Sequence, residues 1–240
     1  MARKLIAKND QSGLLFKSLA EQVKLPFVQI AHAAELSRSQ PDSVALQQLF
    51  DTISLTSDAA LQLIDGYLLS VRLQAEPQLL LEPVPLSSVV YDTAQRLNSY
   101  AKAHDCELEV QLSGRYGPVM ARREAVELAL TSLGYSFIEA AAQQGTKTRI
   151  TLAVRRNSRG INTGIFSGNQ TLSSSLFKQA KVLKGIVKQP LGDFSAGSGA
   201  GVFVADALFN YLDSPMQVAR FQSLRGLAAT LIPSRQLSLV

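Results

Sequence analysis

The sequence predicts an α+β protein in which an antiparallel two-helix hairpin, paired into a dimeric four-helix bundle, precedes an α/β sandwich. Two observations carry this prediction. Residues 16–71 hold two long apolar heptad seams separated by a proline-containing break, and from residue 86 onward helix-like and strand-like patterns alternate. The predicted domains are therefore residues 1–78, the hairpin, and residues 79–240, the sandwich.

The composition is that of a packed globular protein, with 240 residues of which 46% are hydrophobic and 18% are charged. The single cysteine, Cys106, excludes a disulfide within the chain and points to the reducing cytoplasm. One cysteine and two histidines do not suffice for a structural zinc site, so no metal is expected. No apolar run reaches the ~18 residues of a membrane span, and the N-terminal apolar part is too short for a signal peptide. We therefore expect a soluble, cytoplasmic protein.

The net charge of +5 is distributed unevenly along the chain. Between Asp42 and Asp92 there are seven acidic residues and one basic residue, whereas the range from Ala140 to Gly192 holds nine basic residues and no acidic one. Two interpretations stay open: oppositely charged solvated faces, or a surface that steers an anionic partner or a second copy of the chain. Nucleic acid is not expected as a partner, because no aromatic–basic interleaving accompanies the basic region.

The two helices of the predicted hairpin each carry a heptad seam. The first seam consists of Phe16, Leu19, Val23, Pro26, Ile30 and Ala33, and the second of Leu46, Phe50, Ile53, Ser57, Ala60, Ile64, Tyr67 and Val71. One residue after three of the second-seam positions stand Asp51, Asp58 and Asp65, which we call the acidic stripe. A lone hairpin cannot bury both seams, so a homodimer is predicted. The alternative is that the hairpin packs on its own C-terminal domain.

The second domain is predicted element by element. Helices are expected over Leu86–His104 and Arg122–Gln143, and strands over Cys106–Leu112 and Thr148–Arg155. Residues 157–170 are predicted to be a loop because they are rich in Gly, Asn and Ser. The rest is expected to form the helix SSLFKQAKVLKGIV, a glycine-rich turn leading into a helix over Gly192–Leu212, and the strands MQVARFQ and GLAATLIP.

This order of elements resembles the catalytic core of sensor histidine kinases. In that family the first helix carries the phospho-acceptor motif His-Glu-Leu-Arg-Thr-Pro-Leu, and AEQVKLPFVQI resembles it, with Pro26 at the proline and Lys24 at the arginine. Glu21 stands at the acceptor position, where a carboxylate cannot form a phosphoramidate. The resemblance implies a response regulator or a histidine kinase as partner. Contact candidates are Glu21, Lys24 and the acidic stripe.

The sequence GSGAGVFVADAL resembles the family's second glycine box, in which backbone amides close around a phosphate. The resemblance makes Gly197, Gly199 and Gly201 candidate nucleotide contacts, with the N-terminus of the following helix directed at the anion.

Two further nucleotide motifs depart from the family's pattern. Ser132 and Ser136 stand where the magnesium-binding helix carries two asparagines, and a serine hydroxyl is the poorer ligand. In RNSRGI, aligned with the first glycine box, Gly160 is kept, but Arg156 and Ser158 replace the other two motif residues. Arg156 stands at the aspartate that accepts a hydrogen bond from adenine, and arginine has no acceptor.

His32 is the alternative phospho-acceptor. It follows Glu21 by eleven residues, so it projects from a similar helix face about 16 Å further along the axis. The other histidine, His104, ends a predicted helix and is interpreted as a cation near a helix C-terminus.

These residues predict a catalytically degenerate, histidine-kinase-like dimer that serves as a regulatory binding module. Two enzyme-related alternatives stay open: a histidine phosphotransferase that relays phosphate through His32, and a nucleotide-binding sensor or weak ATPase. No cofactor is expected, with ATP and magnesium as the alternative.

Overall fold

The structure, a computed structural model, describes residues 20, 23–24, 26–38, 43–75, 80–145, 147–168, 173–183 and 199–234. Its helices are α1 (residues 26–38), α2 (Ser43–Ala75), α3 (Leu86–Ala103), α4 (Arg123–Ala142), α5 (Ser174–Leu183) and α6 (Gly199–Tyr211). Its strands are β1 (Glu82–Val84), β2 (Cys106–Ser113), β3 (Val119–Ala121), β4 (Thr148–Asn157), β5 (Gly160–Ser167), β6 (Gln217–Phe221) and β7 (Leu224–Leu231). The predicted boundary at residue 78 lies outside the described residues and stays a prediction.

Five strands form one sheet in the order β2-β4-β5-β7-β6. β2 and β4 are parallel, and the other neighbours are antiparallel. Cys106 is paired with Thr148, and Ser167 is opposite Ile150, so β2 and β4 begin where β5 ends. We call this end of the strands the Cys106 end of the sheet. The turn between β4 and β5 lies at the other end, and β1 pairs with β3 in a separate ribbon.

The main core lies between one face of this sheet and the helices α3, α4 and α6. Alternate residues of β4, such as Ile150 and Leu152, belong to this core, as the period of two in a strand requires. α4 is buried along almost its whole length, because the sheet covers one side and α2 and α6 cover the other. The apolar sequence of α4 on all sides follows from this central position.

The other face of the sheet has a smaller core of its own, made of Ala153, Phe166, Phe221 and Ala228. The turn between β6 and β7 reaches back to the far edge strand, where the side-chain amide of Gln222 donates to the Gln111 side-chain oxygen at 3.1 Å. Edge strand β2 is therefore tied to the β6–β7 hairpin at the opposite side of the sheet.

The hairpin packs on the α/β domain of its own chain. This packing was the alternative to burial of the two seams in a homodimer. The α2 face that docks on α4 and α6 contains Ala59, Leu69 and Leu73, all buried. Of the predicted second seam, Ala60 is buried and Tyr67 packs against the core, whereas the other members are half-buried or exposed within the described chain. The helix α2 therefore packs one apolar face against α4 and α6 and leaves its other apolar positions only partly covered.

The helices and strands predicted between residues 86 and 155 match the structure within two residues, but the predicted loop at 157–170 is wrong. The strand β5 occupies Gly160–Ser167 and is buried at every position. Both faces of this strand are covered, so its residues show no polar–apolar alternation. The buried side-chain amide of Asn162 donates to the Ala229 carbonyl at 3.3 Å.

Within the described residues, no helix is long and apolar enough to cross a membrane.

Replacing Phe166 by alanine tests the position of β5. Phe166 is 1% exposed, so Phe166→Ala should lower the free energy of unfolding by about 3–5 kcal/mol. Denaturant titration measures this change, and Tyr91→Ala, at a ring that is 56% exposed, is the control with little expected effect. Equal effects of the two substitutions would contradict the burial of β5.

Candidate functional site

The residues that the resemblance assigns to magnesium lie in the middle of α4. Ser132 and Ser136 are separated by about one helical turn, and both are buried. The Ser132 hydroxyl has no hydrogen-bond partner among the described residues. These two serines face the place where α4 meets α6 and the hairpin.

α6 approaches α4 so closely at Gly201 that only glycine fits. A β-carbon at this position would collide with the carbonyl of Ser132 and the hydroxyl of Ser136. The first turn of α6 therefore lies directly against the two serines. Gly199, the first residue of this helix, is also buried, and Gly197 lies outside the described residues.

The hairpin covers the same contact through Gly66 of α2. A β-carbon at Gly66 would lie 2.8 Å from the Val204 side chain of α6 and 3.1 Å from the Ser132 hydroxyl of α4. Three helices thus converge on Ser132, and two of them supply a glycine. Gly66 was not among the residues predicted from the sequence, although a single glycine inside a 33-residue helix is a visible signal of close packing.

Little space remains at this junction. The cavity there measures about 30 Å³, enough for one or two water molecules. Its lining comes from both hairpin helices as well as from the α/β domain, with the residues Pro26, Gln29, Thr56, Ala59, Ala60, Leu63, Tyr100, Ser132, Tyr135, Ser136, Glu139 and Gly201. Among the described residues, the contact of the three helices therefore encloses little more than water-sized space.

An ionisable pair lies beside the cavity. The Tyr100 hydroxyl of α3 donates to a carboxylate oxygen of Glu139 at 3.3 Å. Burial raises the pKa of Glu139 to about 7, although the Tyr100 hydrogen bond opposes this shift. Burial and the charge of Glu139 raise the pKa of Tyr100, so its hydroxyl stays protonated as the donor.

Tyr135 extends this cluster toward the hairpin. Its ring meets the Tyr100 ring edge-on, with the centroids 4.8 Å apart. Burial, together with the negative charge of Asp58 on α2, raises the pKa of Tyr135 to about 12, while Arg96 lowers it. Glu139 was not among the residues predicted from the sequence. It is, however, an acidic residue in an apolar helix that the sequence pattern indicates to be buried, and a buried acid is a sign of a special role.

The structure does not place Gly160 and Arg156 at this junction. RNSRGI contains the turn between β4 and β5, at the end of the sheet opposite Cys106. The Asn157 side chain closes this turn by accepting from the backbone amides of Arg159 and Gly160, at 2.9 and 2.8 Å. The junction lies in the middle of α4, and no residue of RNSRGI lines its cavity. The assignment of RNSRGI to an adenine-binding box stays a prediction.

The remaining predicted residues lie on the hairpin. Glu21, the residue at the acceptor position, is outside the described residues. Lys24 and His32 are exposed, and so are all three residues of the acidic stripe, Asp51, Asp58 and Asp65. None of these residues lines the small cavity. Among the described residues, no three His, Cys, Asp or Glu side chains come together as a metal site.

Comparison with solved structures identifies the fold. Neither a protein family model nor a curated protein matches the sequence. The Acinetobacter baumannii histidine kinase AdeS is 15% identical, with a TM-score of 0.54 over 90% of this chain and 98% of that one. Histidine kinase ThkA, in complex with the response regulator protein TrrA, is 11% identical, with a TM-score of 0.57 over 96% of this chain and 64% of that one.

The chain has the fold of a histidine-kinase core. A third structure, full-length ShkA in complex with AMPPNP, is 15% identical, with a TM-score of 0.51 over 92% of this chain and 46% of that one. Within this fold, Gly201 of α6 lies against Ser132 and Ser136 of α4, and helix packing fills most of the space between them.

The Glu139 pKa predicts a measurable pH dependence of stability. An acid whose folded-state pKa lies above its ordinary value of 4.5 stabilises the fold least when it is ionised. The free energy of unfolding of the wild type should therefore fall, relative to Glu139→Gln, by up to about 3 kcal/mol as the pH rises from 4.5 to 8.

Denaturant titrations at several pH values would measure this difference. The control is Glu124→Gln, at an exposed acid on the same helix, which should stay parallel to the wild type. Parallel curves for Glu139→Gln and the wild type would show that burial does not raise the pKa of Glu139.

Proposed function

We propose that this chain is a catalytically degenerate, histidine-kinase-like homodimer, acting in the cytoplasm as a regulatory binding module for a response regulator or a kinase. The observation that carries this proposal is the closed junction at Ser132. Helices α2, α4 and α6 meet at Ser132, one of the two positions that the resemblance assigns to magnesium, and a cavity of about 30 Å³ remains.

The second support is chemical. Serine replaces both magnesium-binding asparagines, and a carboxylate replaces the acceptor histidine in the sequence. Opening the junction for a nucleotide would separate the hairpin from α4 and α6 and expose buried residues such as Leu69 and Leu73. Exposing one such side chain costs about 1.5–3 kcal/mol, so the closed arrangement disfavours nucleotide binding and the weak-ATPase alternative.

A homodimer is supported by the uncovered face of α2. Phe50, Leu61, Leu68 and Val71 follow one another at intervals of 11, 7 and 3 residues, which places them on one helix face. Each is between 38% and 56% exposed in the single chain. We call these four residues the apolar stripe. A second copy of the hairpin covers such a stripe in a four-helix bundle.

A charge in the apolar stripe should dissociate the dimer. We expect the wild type to have twice the chain mass by light scattering, and Phe50→Asp combined with Leu61→Asp to have the mass of one chain. The control is Ile232→Asp, at a side chain that is 64% exposed on the α/β domain, which should stay dimeric. A monomeric wild type would contradict the proposed assembly.

The partner surface is supported by charge. The acidic stripe is exposed along α2 at a spacing of seven residues, so its carboxylates lie on one side of the helix. Histidine kinase ThkA, a structure of the same fold, forms a complex with a response regulator protein. We therefore assign the hairpin surface, with Lys24 and the acidic stripe, to the same class of partner.

His32 carries the second candidate function, a phosphotransferase. Its side chain is exposed on α1, as an acceptor of phosphate from a receiver domain has to be. The closed junction does not argue against this function, because such a relay needs no nucleotide.

Binding and phosphate transfer to the chain can be measured together with a panel of phosphorylated receiver domains. We expect one receiver to bind, and Asp51→Lys combined with Asp58→Lys to weaken that binding at least tenfold without unfolding the chain. Label should not reach the wild type. If label does reach the wild type but not His32→Ala, the protein is a phosphotransferase. Unchanged binding by the lysine variant would remove the acidic stripe from the interface.

A further inference from the structure

The chain has two histidines, and both line one cavity. His32 comes from α1 and His104 from the turn after α3, and the cavity between them measures about 290 Å³. This cavity is separate from the closed junction at Ser132 and is about ten times larger. The sequence analysis gave the two histidines unrelated roles.

The walls of this cavity suit an uncharged, mostly apolar molecule. The hairpin contributes Ala33 and Leu36 from α1, and Leu49 and Leu55 from α2. Among the described residues, no Asp, Glu, Lys or Arg lines the cavity. The volume corresponds to about ten water molecules, which is close to the lower limit for small-molecule pockets.

His104 supplies a fixed polar contact at one end. Its Nδ1 is 2.9 Å from the Tyr100 carbonyl, and a carbonyl can only accept, so Nδ1 carries the hydrogen. In the neutral imidazole the other nitrogen, Nε2, is then an acceptor. The ring also lies against the Tyr100 ring, with centroids 4.3 Å apart, which fixes its orientation.

We propose that this cavity binds a small, uncharged, phenol-like molecule, whose apolar body lies among the hairpin leucines and whose hydroxyl donates to Nε2 of His104. The lining comes from both hairpin helices and from the end of α3, so the ligand contacts both parts of the molecule. A ligand that binds only the docked arrangement stabilises it, and the cavity is thus an input site for a chemical signal. The receiver-binding surface proposed above consists of Lys24 and the acidic stripe, and none of these residues lines the cavity.

Calorimetry with phenol and toluene tests the proposal on the full chain. Toluene has a similar shape but no hydroxyl, so it should bind at least tenfold more weakly than phenol. His104→Asn keeps a donor for the Tyr100 carbonyl and removes the Nε2 acceptor, so it should weaken phenol binding about tenfold and leave toluene unaffected. His104→Gln restores an acceptor near Nε2 and should recover part of the phenol affinity.

Filling the cavity tests its location. Leu36→Trp should weaken both probes, whereas Leu112→Trp, at a residue equally exposed on β2, should weaken neither. Absence of phenol binding, equal affinity for phenol and toluene, or phenol binding that neither His104→Asn nor Leu36→Trp changes would each overturn the proposal. Stoichiometric Zn²⁺ binding that is lost in both His32→Ala and His104→Ala would also overturn it, because the imidazoles would then be metal ligands.

Discussion

The contact of three helices at Ser132 determines how the two parts of this molecule fit together. Gly201 brings α6 against α4, and Gly66 brings α2 against both. Without side chains at these two positions the helix axes can approach closely, and the contact is densely packed. A larger residue at either position would force the helices apart. The docking of the hairpin and the closure of the junction therefore have one common cause.

The polar residues around this junction form a series of contacts that runs from the α/β domain toward the hairpin. Glu139 accepts from Tyr100, whose ring contacts both Tyr135 and His104. His104 in turn lines the cavity that the hairpin helices complete. Glu139 is thus connected through Tyr100 to Tyr135 and His104, which line cavities bordered by α1 and α2. Both cavities share Gln29 and Thr56 in their walls, so the hairpin position affects both.

Sequence patterns predicted most of the elements but not how they pack. β2 and β4 were found because apolar residues repeat along them, whereas β5 was missed because both of its faces are buried and its glycine and asparagine resemble a loop. The heptad seam of α2 was visible, yet the docked face of the same helix relies on Ala59 and Gly66, whose importance comes from what approaches them. RNSRGI resembles a glycine box, and a tight β turn uses the same residue types. Short polar motifs do not reveal at which end of a sheet they lie.

The hydrogen bond between Gln222 and Gln111 has a consequence for solubility at high concentration. An exposed edge strand offers unpaired backbone groups to the edge of another molecule, and this is a common start of aggregation. Here the β6–β7 turn reaches β2, and Arg149 of the adjacent strand forms ion pairs with Glu107 and Glu109, at 3.6 and 3.9 Å. The β2 edge therefore presents charges and a crossing turn to an approaching strand, and both hinder extension of the sheet from one molecule to another.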